Sequence, residues 1–269
     1  MWRHKYLRVL NTITVLCIVV GLMVNVMKFT AFGIFSFMKS SSGPVKEAEG
    51  DGQIGRFNSV EAKLSFGTVK VEYGDDYGYY YKNFTTETEP EFKIKNDKLV
   101  ISQKNNINFN LFKDKAVDGT VTITIPRDAV IDMDISLNMG SFNLTDINLG
   151  NLSVDADMGS ITLNNCEMKN IGIQADMGGI TFTDCRFNNG DLDANMGGIT
   201  LTACNFSSAS CDADMGSIEV SGTYDSLTAD CDMGSIRADN TNKDAKYDMD
   251  CDMGNIKING DNKGNEYKN

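Results

Sequence analysis

The side chains best placed to do chemistry are carboxylates recurring two residues apart: Asp155 and Asp157, Asp212 and Asp214, Asp230 and Asp232, Asp250 and Asp252. Asp176 follows Gln174 and Asp193 precedes Asn195 in the same pattern, with one amide in place of one acid. Residues i and i+2 of a strand project from one face, so each pair points the same way. Stacked at about 5 Å, like charges repel, and Asp is a poor strand former. Calcium would offset that repulsion, because it takes 6 to 8 oxygen ligands. These ten aspartates are therefore the candidate metal site, with calcium the one candidate ion. The other reading is a solvated face that keeps an exported stack soluble and blocks edge pairing. The closest repeat known to bind calcium in its corners has a nine-residue period, which this chain lacks.

The remaining chemistry is sparse. The single His, His4, lies far from these acids, which leaves the rest of the chain without Ser-His-Asp or Cys-His nucleophiles and without His-rich zinc sites. Cys166, Cys185 and Cys204 share one repeat position, Cys211 takes that of Val154, and Cys231 and Cys251 take that of Ala156. No C-x-x-C occurs, and side chains in register point in parallel, so buried free thiols are expected. β-Helices do host polysaccharide lyases and hydrolases, which set basic residues beside tuned carboxylates. Residues 131–261 hold 22 acidic but 6 basic residues and no Trp platform for sugar rings. The expectation is a non-enzyme. The net charge of -12 and pI near 4.5 argue against a nucleic-acid partner.

What positions the aspartates is a repeat. Asn138-Met139-Gly140-Ser141 recurs at Asp157, Asp176, Asn195, Asp214, Asp232 and Asp252, with Met-to-Met spacings of 19, 19, 19, 19, 18 and 20. Within one unit Met133, Ile135, Leu137 and Met139 alternate, then parity shifts at Gly140-Ser141, at Thr145-Asp146 and at Gly150-Asn151. Period two argues strand, and three shifts argue three corners per turn. No window shows the i, i+3, i+4, i+7 pattern of a helical solenoid. The fold class expected is all-β: a parallel β-helix with coils of about 19 residues and three corners, the Met side chains facing inward. Gly after each Met fits a close corner, and Asn164-Asn165 and Asn188-Asn189 fit others, where Asn tolerates the left-handed region. Thr223, Thr241 and Asp261 stand where earlier coils have Cys or Ile, so the third face is expected to fade toward a polar C-terminal cap.

Residues 1–39 read as a short basic tail and transmembrane anchor: Leu10 to Met27 carries no charge, and about 20 apolar residues span a bilayer core. No small-residue cleavage site follows it. Basic residues flank both ends (Arg3, Lys5 and Arg8; Lys28, Lys39 and Lys46), with a single-pass protein and an extracytoplasmic C-terminal domain the expected arrangement. Residues 40–56 have linker composition, 57–130 read as an irregular β portion of the solenoid, 131–262 as regular repeats and 263–269 as a polar tail. Leu64 to Val71 is a degenerate copy of the repeat with Phe66 in the Met place, and Tyr73, Tyr77, Tyr79, Tyr80 and Tyr81 form an aromatic cluster, best explained by hairpin packing.

The apolar N-terminal segment, the Phe66-Gly67-Thr68-Val69 unit, the Thr122-Ile123-Thr124-Ile125-Pro126 element and the stacked Gly-Ser-Ile or Gly-Gly-Ile strands together resemble the bacterial putative-adhesin family of membrane-anchored β-strand-repeat proteins. The resemblance covers about residues 57–260. It implies a β-helical envelope protein of a domain family without assigned function, and it carries no catalytic residues. The functions expected are a surface binding module, taking a protein or glycan on a solenoid face, or an envelope accessory protein acting on membrane partners in stress signalling.

Overall fold

A computed structural model describes residues 47–103 and 119–269. The transmembrane anchor expected over 1–39 lies outside the described residues; among those described, no helix is long and apolar enough to cross a membrane.

Among the described residues twenty strands follow one another. The N-terminal set is β1 (Glu47–Gln53), β2 (Ser59–Leu64), β3 (Gly67–Gly74), β4 (Gly78–Thr85), β5 (Pro90–Lys95), β6 (Lys98–Gln103) and β7 (Thr120–Pro126). The regular stack comprises β8 (Asp132–Thr145), β9 (Asn151–Met158), β10 (Ile161–Asn164), β11 (Asn170–Met177), β12 (Ile180–Thr183), β13 (Arg186–Met196), β14 (Ile199–Met215), β15 (Ile218–Met233), β16 (Ile236–Asn240), β17 (Lys246–Met253) and β18 (Ile256–Ile258). Two short strands, β19 (Asp261–Gly264) and β20 (Glu266–Lys268), end the chain.

The architecture is all-β, a parallel solenoid of about seven turns. Residues 19 apart pair in register: Asn151 with Asn170, Asn170 with Asn189, Ile161 with Ile180 and Ile180 with Ile199. The alternation in the sequence sets the burial. Leu152, Val154 and Ala156 are buried while Asp155 and Asp157 are exposed; later coils keep the alternation, with Asp176, Asp193 and Asn195 half-buried. The interior is one continuous apolar cluster running from Phe57 to Ile258. At about 25 cal/mol per Å² of apolar area removed from water, that continuity drives the stacking, since one coil alone has nothing to bury its face against.

The corners follow from local chemistry. At Gly178 φ is +153°, and a Cβ there would overlap the carbonyl oxygen of Gly159 on the adjacent coil. Only glycine lets the backbones approach so closely. A second corner places Asp146, Asn165, Asp184 and Ala203 at φ of 59°, 50°, 53° and 53°. Asn and Asp tolerate this left-handed region; Ala does so at a cost. At a third corner the amides of Asn151, Asn170 and Asn189 form a ladder with Nδ2 to Oδ1 distances of 2.9 Å.

The N-terminal portion departs from sequence order. β2 pairs in parallel with β6 on one side and β8 on the other, and β3 likewise with β7 and β8. The coil formed by β2 and β3 thus sits between the regular stack and the later segment 98–126. Antiparallel strands cover the outer edge: β5 on β6, β4 on β7 and β1 on β4. An open parallel edge would template further pairing, so this cap protects it. The stretch 47–53, read from composition as linker, is strand β1. Its Gly50 and Gly52 make room for the rings of Tyr81 and Tyr79, so glycine here serves packing rather than flexibility. Tyr79 stacks on Phe92 at 3.8 Å, which makes the tyrosine cluster part of the cap.

The third face persists one coil longer than expected. Cys204 pairs with Gly222, not Thr223, because the pairing shifts after Leu201, and Tyr224 continues the stack of Phe187 and Phe206 at centroid distances of 4.8 and 4.6 Å. The polar change comes at Asn240, buried opposite Gly222, whose Nδ2 donates to the Tyr224 carbonyl at 2.9 Å. The polar segment 263–269 includes β20, which pairs antiparallel with β17 and closes the C-terminal edge.

Candidate functional site

The expected aspartates come together as two outward columns on the face built by the long strands. In the first, Asp155 is in register with Gln174, Gln174 with Asp193, Asp193 with Asp212, Asp212 with Asp230 and Asp230 with Asp250. In the second run Asp157, Asp176, Asn195, Asp214, Asp232 and Asp252, each just before a paired Met. A third outward column lies two residues N-terminal of the first and adds Asp134, Asp191 and Asp248. The same alternation signals it, but Ser153, Gly172, Ser210 and Thr228 interrupt it, and sequence reasoning passed it over.

The electrostatics follow from this packing. Asp155, Asp193, Asp212, Asp230 and Asp232 are held above the usual carboxylate range, first by partial burial against neighbouring rungs and then by the charge of adjacent aspartates. Gln174 and Asn195 dilute the charge, and Asn195 also donates to Asp176 at 2.8 Å. Among the described residues no three His, Cys, Asp or Glu side chains converge to hold a metal ion. The columns are lines of carboxylates rather than a cage.

The methionines fall elsewhere than expected. Met139, Met158, Met177, Met196, Met215, Met233 and Met253 are in register, but they do not enter the core. Met158, Met177, Met196 and Met253 are 39%, 42%, 43% and 46% exposed. The alternation ends one residue before the glycine corner, so Asp157 and Met158 both face outward. The inward slot they would have shared is filled from the next strand by Ile161, Ile180 and Ile199.

The cysteines are where the repeat puts them. Six of them, Cys166, Cys185, Cys204, Cys211, Cys231 and Cys251, are buried free thiols. Burial pushes Cys211 and Cys231 up to about 12 and raises Cys251, which keeps these thiols protonated and unreactive at neutral pH. An open depression of about 510 Å³ lies along Val60, Met133, Leu152 and Ile171, beside the corner of Asn151 and Asn170.

A solved structure named a putative adhesin, from Bacteroides fragilis NCTC 9343, superposes with a TM-score of 0.60 at 15% identity, covering 79% of this chain and 96% of its own. A putative adhesin from Parabacteroides merdae ATCC 43184 gives 0.47 at 11% identity, covering 80% and 97%. One named a putative lipid binding protein, from Parabacteroides distasonis ATCC 8503, gives 0.45 at 12% identity, covering 80% and 95%. No curated protein sequence matches. The Toastrack DUF4097 family model matches residues 57–269, the whole repeat region with its N-terminal cap, and the chain belongs to that family.

Proposed function

We propose that the chain is a non-catalytic binding module, held at the cell membrane by its N-terminal segment, which presents one acidic solenoid face to a partner outside the cytoplasm. One observation carries this reading: two outward columns of aspartate and amide side chains run in register along a single face, with Asp134, Asp191 and Asp248 beside them. A flat, regular, single-sign surface suits an extended partner better than a small substrate, which prefers a concave apolar pocket. The name putative adhesin borne by the Bacteroides fragilis protein accords with it. A partner for this face carries basic groups spaced along its length, as a cationic protein segment or an amino-sugar glycan does. Calcium would act on the same columns as a diffuse counter-ion.

The test uses the full chain in detergent micelles, immobilised, with polylysine and chitosan oligomers as probes. Binding should weaken steeply with salt. It should also fall at least tenfold when Asp193, Asp212 and Asp230 are replaced by Asn. Probe binding indifferent to both would remove the acidic face from the function.

A further inference from the structure

We propose that the exposed methionine column is a binding site for soft monovalent metal ions, with copper(I) the ion its chemistry selects. Seven methionines stand in backbone register, one on each coil from Met139 to Met253. Four of them are 39–46% exposed.

Packing does not call for methionine there. The corner is held by the glycine that follows, where a side chain would overlap the backbone of the adjacent coil. The core beneath is filled by the isoleucines of the next strand. The position is nevertheless Met on all seven coils.

Thioether sulfur is a soft ligand, and soft sulfur ligands select copper(I) over the oxygen-loving ions. The stack also sets the spacing. Neighbouring rungs lie about 4.7–4.9 Å apart. The zinc–thiolate bond, about 2.3 Å, sets the scale of a metal–sulfur contact, and two of that length end to end span nearly the same distance. Sulfurs on adjacent coils can therefore bracket one ion in an almost linear pair. The flexible methionine side chain takes up the small difference.

Charge assists. A thioether is neutral, so the bound ion keeps its positive charge. Asp157, Asp176, Asp214, Asp232 and Asp252 each precede a ladder Met and form a parallel acidic column beside it. Their field lowers the free energy of a cation on the ladder. Because thioethers do not titrate, binding persists near pH 5, where imidazole and thiol ligands take up protons.

The experiment titrates the full chain, in detergent micelles at pH 5, with silver(I) as a redox-inert stand-in for copper(I). The methionine methyl groups are followed by NMR, and ladder signals are assigned with single Met→Leu variants. The expected result is a shift of ladder methyls at sub-stoichiometric silver. A loss of at least tenfold in affinity is expected for the triple variant Met158→Leu, Met177→Leu, Met196→Leu. Ladder methyls that stay unmoved while silver is taken up would assign the metal to the buried thiols and overturn the proposal. Unchanged affinity in the triple variant would overturn it too. The methyl shifts of the unsubstituted protein decide between these outcomes even if the triple variant fails to fold.

Discussion

Asn195 donates its Nδ2 hydrogen to Oδ1 of Asp176 on the adjacent coil across 2.8 Å, within the run of aspartates from Asp157 to Asp252. The amide does two things there. It removes one negative charge from the run between Asp176 and Asp214, and it turns a repulsive contact into a hydrogen bond. A hydrogen bond of this kind contributes about 1 kcal/mol, and more when the acceptor is charged. Asn195→Asp should therefore destabilise the full chain by about 1–2 kcal/mol at neutral pH, read by urea denaturation. The difference should shrink as acid protonates the column; equal stability at pH 7 would show that the charges are fully solvated.

The pH dependence of the whole face follows from the raised carboxylates. Asp155, Asp193, Asp212, Asp230 and Asp232 bind protons more tightly folded than unfolded, where the ordinary value is near 3.8. The folded state thus holds more protons between that value and the raised ones. Stability from these groups is full below the ordinary carboxylate range and is lost as pH rises through the raised values. The melting temperature should rise as pH falls from 7 toward about 4, opposite to proteins whose carboxylates are salt-bridged. The same repulsion predicts a higher melting temperature in calcium than in chelator at matched ionic strength. No difference would remove calcium from the columns.

How much of this could be read from the sequence depended on distance along the chain. The aspartate columns were legible because a constant period of about 19 fixes which residues share a rung, and alternation fixes which side they face. The orientation of Met158 was not, because at a corner the parity depends on where the bend begins. Here it begins before Met, one residue earlier than the Gly suggests. The pairing of Cys204 with Gly222 was hidden for a related reason: an 18-residue coil reveals that a residue is missing but not which position lost it. The placement of β2 and β3 between the stack and the segment 98–126 rests on contacts far apart in sequence, which no local pattern records.

Gly178 is a tightly constrained corner position suited to a direct test. Its φ of +153° and the overlap a Cβ would have with the Gly159 carbonyl leave no room for a branched side chain. Gly178→Val should cost more than about 3 kcal/mol, well beyond an ordinary surface substitution. Thermal melting decides it: an unchanged midpoint would mean that adjacent coils can separate locally at no cost.

Tyr224 offers the reverse case. It is 1% exposed, lies 4.6 Å from Phe206 with the rings nearly parallel, and its buried hydroxyl has no partner of hydrogen-bond distance and geometry among the described residues, with Tyr247 packed edge-on beside it. Tyr224→Phe should therefore be neutral to stabilising, by up to about 1 kcal/mol, because the desolvation of the hydroxyl is relieved while the stacking stays. A clear loss in chemical denaturation would show that the hydroxyl is bonded after all.

Ala203 holds a left-handed conformation, φ 53°, at the corner where earlier coils have Asp146, Asn165 and Asp184. An L-residue with a Cβ and no polar group loses roughly 1–2 kcal/mol in this region, which Gly avoids. Glycine also makes the unfolded chain more flexible, and that returns part of the gain. Ala203→Gly should therefore stabilise by about 0.5–1 kcal/mol, seen as a higher denaturation midpoint at constant slope. The side chain is exposed, so no packing is lost in the exchange. A lower midpoint would mean that the backbone at this corner leaves the left-handed region in solution, and with it the register that brings Cys204 opposite Gly222.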